Sequence, residues 1–224
     1  MEQIGKTALL FGATGAVGQE VLHLLINDHR YDKIVVFSRK VIPIEHPKLK
    51  VILDTLSDLD RIAGKIRGDE LFCCVGTTSR KAGSREAFRK VDLDMPVNLA
   101  RIASRNGVEG FIVISSIGAG SKKTGFYLAV KTEMEEQVIQ YDFKRLAIVR
   151  PSLLLSDRDE FRFGEEAGKV LDKALGWAMK GKLQKYRGIR TENVARAMIH
   201  IMNMDAPKLT WESDELQEIS TPKS

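Results

Sequence analysis

The chain has 224 residues, 43% of them hydrophobic and 29% charged, as expected for one globular domain with a sizeable core. Its 35 Lys and Arg residues exceed its 30 Asp and Glu residues for a net charge of +5, but the two signs are interspersed, which argues against a nucleic-acid-binding protein. We expect a cytoplasmic protein, because its two cysteines, Cys73 and Cys74, are adjacent and no cationic-apolar leader is seen. No apolar run is long enough to span a membrane, so no membrane association is expected. The four histidines are scattered, so no metal site is expected.

The first strand-to-helix unit carries the most informative motif. Residues 8–11 have the pattern of a buried strand, and apolar residues recur at helical spacing from Val17 onward. Between them, Gly12 suits a tight turn, Gly15 close approach to a pyrophosphate and Gly18 close helix-to-strand packing. The phosphates would bind at the helix N-terminus. The predicted cofactor-binding residues of this loop are Gly12, Ala13, Thr14, Gly15, Ala16, Val17 and Gly18.

The end of the second predicted strand, residues 34–37, bears on the choice of cofactor. An NAD-binding domain normally places a carboxylate there for the ribose 2′-hydroxyl, but this chain has Ser38, Arg39 and Lys40. An arginine binds a 2′-phosphate through charge-assisted hydrogen bonds. These three residues are therefore predicted to bind the cofactor, with NADP(H) favoured over NAD(H). The competing interpretation is a solvated turn with two surface cations.

The remaining strand patterns, at 49–53, 71–75, 111–114 and 146–149, alternate with helical patterns at 57–67, 84–92, 96–106 and 124–141. Such alternation predicts the α/β class: a Rossmann-like doubly wound parallel sheet of six to seven strands with helices on both faces, in a single domain over 1–204. Segment 156–190, with a helix near 165–180, is expected to cover the substrate, and another helix follows from 191 to about 204. Residues 205–224 are predicted to form a polar C-terminal tail.

Candidate chemical groups follow the fifth strand. Ser115 and Ser116 stand at its carboxyl end, the edge where open α/β sheets bind ligands. Tyr127 and Lys131 are four residues apart and so share one helical face. An ammonium beside a phenol lowers the phenol's pKa, which would allow Tyr127 to exchange a proton near neutrality.

Together these motifs resemble the short-chain dehydrogenase/reductase superfamily over residues 6 to about 204. Gly-Ala-Thr-Gly-Ala-Val-Gly, Ser-Ser-Ile-Gly-Ala, Tyr-Leu-Ala-Val-Lys, Val-Arg-Pro-Ser and Thr-Glu-Asn-Val-Ala are most similar to the small atypical branch typified by the Tat-interactive protein. The resemblance implies that Tyr127 is the general acid/base and that Lys131 binds the nicotinamide ribose. It also implies that Ser115 or Ser116 polarises the substrate carbonyl; the alignment leaves both open.

The resemblance implies two further cofactor contacts. The segment after the sixth strand, with Pro151, Ser152 and Leu153, would close over the nicotinamide, although Pro151 could equally just end a strand. After the fourth strand many members carry Asn-x-Ala-Gly, whereas this chain has Cys74, Val75, Gly76 and Thr77. Gly76 still allows close approach to the cofactor, but a proton relay through asparagine is in doubt.

Two functions follow. The first is an NADP(H)-dependent oxidoreductase acting on a small carbonyl or alcohol substrate. The alternative is a non-catalytic NADPH-binding regulator or redox sensor acting through protein partners. The two cysteines are interpreted as small buried strand residues; the competing interpretation is that Cys74 is a redox-sensing thiol near the nicotinamide. Retention of both Tyr127 and Lys131 favours catalysis, because a regulator needs only the glycine loop.

Overall fold

The computed structural model describes residues 5–121, 125–156, 181–205 and 207–221. The strands are β1 (Lys6–Phe11), β2 (Tyr31–Ser38), β3 (Leu49–Leu53), β4 (Glu70–Cys73), β5 (Gly110–Ile114), β6 (Arg145–Arg150), β7 (Leu154–Leu155), β8 (Ile189–Arg190) and β9 (Thr210–Glu212). Seven of them form one parallel sheet in the order β3-β2-β1-β4-β5-β6-β9. Strands β7 and β8 pair separately, also in parallel.

The helices alternate with these strands. They are α1 (Ala16–Asn27), α2 (Ser79–Ala82), α3 (Arg85–Arg89), α4 (Met95–Arg105), α5 (Phe126–Val138), α6 (Thr191–Met202) and α7 (Ser213–Ser220). A π-helical segment, Lys90–Asp94, joins α3 to α4, so the helices predicted at 84–92 and 96–106 are continuous. The helix predicted at 57–67 is a shorter 3₁₀ helix, Asp60–Lys65. The helix predicted near 165–180, and residues 157–180 of the predicted substrate-covering segment, lie outside the described residues.

Alternation along the central strands divides the core between the two faces of the sheet. In β1, Ala8 and Leu10 pack towards α1, α6 and α7, whereas Leu9 and Phe11 pack towards α4 and α5. Both faces are covered, so beyond their first residues these central strands are apolar on both sides. The predicted fold class, a doubly wound parallel sheet with helices on both faces, is confirmed.

The structure differs from the predicted polar tail after Asp205. Strand β9 extends the sheet beside β6, with Thr210 opposite Ile148, and α7 follows it. Trp211 is buried on β9 and Leu216 on α7. The prediction failed here because a three-residue strand is too short to show alternation, and charged residues separate the apolar ones.

The strand order places the site. The chain passes from β1 outward to β3 and then returns to β4 on the other side of β1. Helix α1, which follows β1, covers one face of the sheet, whereas α3 and α4, which follow β4, cover the other. A crevice therefore opens outside the carboxyl ends of β1 and β4, where sheets of this kind bind ligands.

Candidate active site

The glycine loop between β1 and α1 is built from backbone contacts that a side chain would prevent. Gly12 has φ +84°, and a Cβ there would lie 2.4 Å from the carbonyl oxygen of Cys74. A Cβ on Gly18 would lie 2.1 Å from the carbonyl oxygen of Gly12. Gly15, by contrast, has the extended backbone of a helix N-cap, and its N–H donates to Gly12 at 2.9 Å. Two of the three glycines are thus required by the loop itself.

The N-terminus of α1 suits an anionic ligand. Its N-cap, Gly15, has no side chain to bond the first N–H groups, and the first turn contains no acidic residue. Unpaired N–H groups and the helix dipole together favour a phosphate at such an end. The residues present therefore fit the pyrophosphate of a dinucleotide.

The end of β2 leads into a tight turn whose two cationic side chains are exposed to solvent. The buried Ser38 hydroxyl donates to the carbonyl oxygen of Lys40 at 2.7 Å and accepts from its N–H at 3.1 Å. Arg39 and Lys40 are exposed. The neighbouring carboxylate, Asp54, follows β3; it accepts from the Leu56 N–H at 2.9 Å and pairs with Arg61. Arg39 is therefore exposed just after β2, the strand that pairs with β1, and the Asp54 carboxylate is already engaged.

A cleft opens at the carboxyl edge of the sheet, between the glycine loop, the segment after β4, the end of β5 and α5. Seven predicted site residues line it: Val17, Cys74, Val75, Gly76, Thr77, Ser115 and Lys131. It is also lined by residues that were not predicted, namely Thr78, Lys81, Asp92, Ile114 and Leu154. The fold thus gathers residues from six separate segments at one place.

Lys131 is buried in this cleft beside a carboxylate that sequence reasoning missed. Its Nζ lies 2.8 Å from Oδ1 of Asp92 and donates to the carbonyl oxygen of Ile114 at 3.3 Å. Burial works to lower the pKa of Lys131, but attraction to Asp92 and Tyr127 outweighs it and raises that pKa. The available sequence signal was the position of Asp92, four residues after the core residue Phe88 on the buried side of a helix.

Tyr127 lies on α5 with its ring against Phe88, 5.5 Å between centroids. Burial raises the pKa of Tyr127, and Asp92 adds to the rise. Lys131 and the nearby Ser116 hydroxyl act to lower it, but the net shift is upward. Lys131 therefore lowers the pKa of Tyr127, as predicted, but the expectation that Tyr127 titrates near neutrality is wrong for the protein without bound cofactor. Desolvation of the phenolate is the dominant effect.

The two serines at the end of β5 have different surroundings. Ser116 lies near Tyr127, and its hydroxyl acts to lower the pKa of the phenol. Ser115 is 2% exposed and lines the cleft, and its hydroxyl has no hydrogen-bond partner among the described residues. A buried hydroxyl without a partner is costly, so Ser115 is poised to bond a group that enters the cleft.

The adjacent thiols are not set up for redox chemistry. Cys73 and Cys74 are free and buried. Burial raises the pKa of Cys73 to about 12 and that of Cys74 well above its ordinary value. A reactive cysteine needs a populated thiolate and access to solvent, which argues against Cys74 as a sensing residue.

The segment after β6 is engaged by other parts of the protein. The carbonyl oxygen of Pro151 accepts from the Ile117 N–H at 3.0 Å, and that of Leu153 accepts from Ile189 at 2.9 Å. The Ser152 hydroxyl donates to the carbonyl oxygen of Arg187 and accepts from Ser213. Pro151, Ser152 and Leu153 do not line the cleft; Leu154 does.

None of the helices in the described ranges is both long enough and apolar enough to cross a membrane.

Comparison with known proteins gives relatives over most of the chain. Protein HTATIP2 of Rattus norvegicus, the Tat-interactive protein, is 34% identical over 164 residues, covering 71% of this chain and 67% of that protein. The mitochondrial protein FMP52 of Candida glabrata is 29% identical over 208 residues, covering 92% of this chain and 88% of that protein. The predicted resemblance to the atypical short-chain dehydrogenase/reductase branch is confirmed.

A solved structure shows the same fold. The Bordetella bronchiseptica enzyme WbmH in complex with NAD+ superposes with a TM-score of 0.68 at 13% identity, covering 96% of this chain and 79% of that one. A family model described as NAD(P)H-binding matches residues 12–205, which include the glycine loop and the cleft. The chain therefore belongs to the NAD(P)H-binding family.

Proposed function

We propose that the protein is an NADP(H)-dependent oxidoreductase of the short-chain dehydrogenase/reductase type, acting on a small carbonyl or alcohol. The observation that carries this proposal is the meeting of Tyr127, Lys131 and Ser116 beside a cleft that reaches the glycine loop. A protein that only binds NADP(H) has no need of a buried phenol flanked by an ammonium and a hydroxyl.

Each site residue has a role in this proposal. The loop 12–18 and the N-terminus of α1 hold the pyrophosphate, and Arg39 binds the 2′-phosphate. Lys131 binds the nicotinamide ribose. When bound, the cofactor supplies or accepts a hydride at the carbonyl carbon. In reduction, Ser115 donates a hydrogen bond to the carbonyl oxygen, and Tyr127, oriented by Ser116, transfers its hydroxyl proton to that oxygen.

The test is NADPH oxidation with a panel of aldehydes, ketones and quinones, comparing the full chain with its Tyr127→Phe variant. Loss of the proton donor is expected to lower kcat by about 10²–10⁴-fold and leave NADPH affinity nearly unchanged. Tyr141→Phe removes a phenol just beyond the same helix and is the matched control, with activity close to wild type.

Unchanged turnover in Tyr127→Phe would contradict the proposed mechanism. Tight NADPH binding by the wild-type protein, with no turnover across the panel, would instead support the non-catalytic regulator.

The proposed location is the cytoplasm, because adjacent Cys73 and Cys74 cannot join distant segments through a disulfide. The substrate is proposed to be a small molecule and not a nucleic acid or a membrane. Several yeast relatives are named mitochondrial proteins, which makes mitochondria the alternative. Imaging of the full chain, with fractionation of the same cells, distinguishes the two locations.

A further inference from the structure

Asp92 is an ionisable residue in the interior of the protein. It lies in the π-helical segment between α3 and α4, and its side chain is 1% exposed. Burying an ionised carboxylate is costly unless a charge and hydrogen bonds compensate it. A π-helical insertion within an otherwise α-helical stretch often marks a functional position. Its placement beside the cleft therefore calls for a specific role.

The contacts of Asp92 join separate parts of the cleft. Oδ1 lies 2.8 Å from the Nζ of Lys131 on α5, and Oδ2 accepts from the N–H of Thr77, after β4, at 2.8 Å. Lys131 also donates to the carbonyl oxygen of Ile114, the last residue of β5. The carboxylate thus fixes the ammonium between the ends of two neighbouring strands.

The ion pair between Asp92 and Lys131 also changes the electrostatic environment of Tyr127. Within the part of the chain that the structure describes, the ionisable groups around the phenol and the ammonium are Asp92 from the π-helical segment, Cys73 from β4 and, on the cleft wall, Lys81 from α2. Cys73 is neutral over the physiological range because burial raises its pKa to about 12. Asp92 is therefore the anion that offsets Lys131, and it favours the protonated form of Tyr127.

We infer that Asp92 is a positioning residue: it holds the Lys131 ammonium in the cleft and offsets its charge, so that Tyr127 keeps a proton to transfer to the substrate. This inference rests on the proposed function. It assigns the site to carbonyl reduction at neutral pH, with Tyr127 acting as the acid.

The test removes the charge of the Asp92 side chain and keeps its size and shape. In Asp92→Asn the amide oxygen still accepts from Thr77, but the negative charge is lost. We expect the alkaline limb of the pH profile of kcat/KM for carbonyl reduction to move to lower pH by about one unit or more. Asp94→Asn, an exposed position in the same helical segment, is the matched control and leaves the limb in place.

A second readout does not depend on turnover. The tyrosinate absorbance that Tyr127→Phe removes reports the titration of Tyr127 directly, and Asp92→Asn is expected to shift it to lower pH by a similar amount. Lys131→Met, which leaves Asp92 uncompensated, shifts it to higher pH, and the double variant Asp92→Asn/Lys131→Met returns it to near the wild-type value.

An unchanged titration of Tyr127 in Asp92→Asn overturns the inference, whether or not the protein reduces a carbonyl. If the titration shifts as expected but no substrate is turned over, the electrostatic role stands and the proposed function fails. If Asp92→Asn does not fold, Lys131→Met and the double variant decide: equal titrations in those two proteins overturn the inference.

Discussion

In the proposed function, the choice between NADP(H) and NAD(H) depends on Arg39. It is exposed immediately after β2, and the nearby Asp54 carboxylate is paired with Arg61. A free carboxylate at the end of β2 would bind the ribose 2′-hydroxyl and repel a 2′-phosphate. An accessible guanidinium has the opposite preference, because it forms charge-assisted hydrogen bonds with phosphate.

The Arg39→Ala variant is therefore expected to bind NADPH about tenfold to a hundredfold more weakly, since a hydrogen bond to a charged group contributes about 1.5–3 kcal/mol. Its affinity for NADH should change little. Titration calorimetry with both cofactors measures this, and Lys33→Ala, an exposed cation earlier on β2, is the control. Tighter binding of NADH than NADPH by the wild-type protein would contradict the assignment.

At the scale of elements, β9 and α7 complete the domain. Strand β9 pairs with β6, and its Trp211 is 7% exposed with the indole N–H bonded to the carbonyl oxygen of Lys208 at 2.9 Å. Glu212 and Glu215 form a capping box that starts α7 directly after the strand. The Ser213 hydroxyl donates to Ser152, so this element also braces the segment after β6.

We therefore expect removal of the indole to destabilise the whole domain and not only its C-terminal end. Trp211→Ala is expected to lower the free energy of unfolding by about 3–5 kcal/mol, the usual range for a buried Trp or Phe truncated to Ala. Denaturant unfolding measures the change, and Glu218→Ala, exposed on α7, should stay within about 0.5 kcal/mol of wild type. A small loss for Trp211→Ala would mean that the C-terminal unit is independent of the sheet.

Across the whole molecule, the two ends of the sheet carry different polar clusters. At the carboxyl edge, Asp92 and Lys131 lie in the cleft. At the opposite end, buried Glu70 at the start of β4 accepts from the Tyr31 hydroxyl and pairs with Lys6 at 2.7 Å. The second cluster joins β1, β2 and β4 far from the ligand crevice, which suits a role in stability.

Several buried neutral acids make the stability of the whole protein sensitive to alkaline pH. Burial raises the pKa values of Cys73, Cys74, Tyr31 and Tyr127 in the folded state. The unfolded chain therefore releases these protons first, the thiols from about pH 8.5 and the phenols from about pH 10. Stability is at its full value below pH 8.5 and falls as the pH rises towards the folded-state pKa values.

We expect the free energy of unfolding to fall above pH 8.5 by about 1.4 kcal/mol per pH unit for each thiol. Denaturant unfolding at a series of pH values measures the slope. The Cys73→Ala/Cys74→Ala variant should lose the part of the decline that begins near pH 8.5 and keep the part that begins near pH 10. An identical slope in both proteins would contradict the contribution of the thiols.

Much of the fold and part of the site were predictable from local sequence. The strand and helix patterns, the glycine spacing and the four-residue separation of Tyr127 and Lys131 all depend on neighbours along the chain. The pairing of Asp92 with Lys131 could not be predicted, because the two residues are 39 positions apart and meet only when α5 packs beside the π-helical segment. The net direction of the Tyr127 pKa shift was missed for a related reason: it depends on burial, which a spacing does not report.

By itself, the sequence determined the class of fold, the phosphate-binding loop and the kinds of chemical group at the carboxyl edge, because each of these follows from residue type and short-range periodicity. Only the tertiary structure decided which groups meet in the cleft, that Ser116 influences the pKa of Tyr127 while Ser115 lines the cleft, and that β9 completes the sheet. Those outcomes depend on contacts between distant segments and on the exclusion of water, and both exist only in the packed protein.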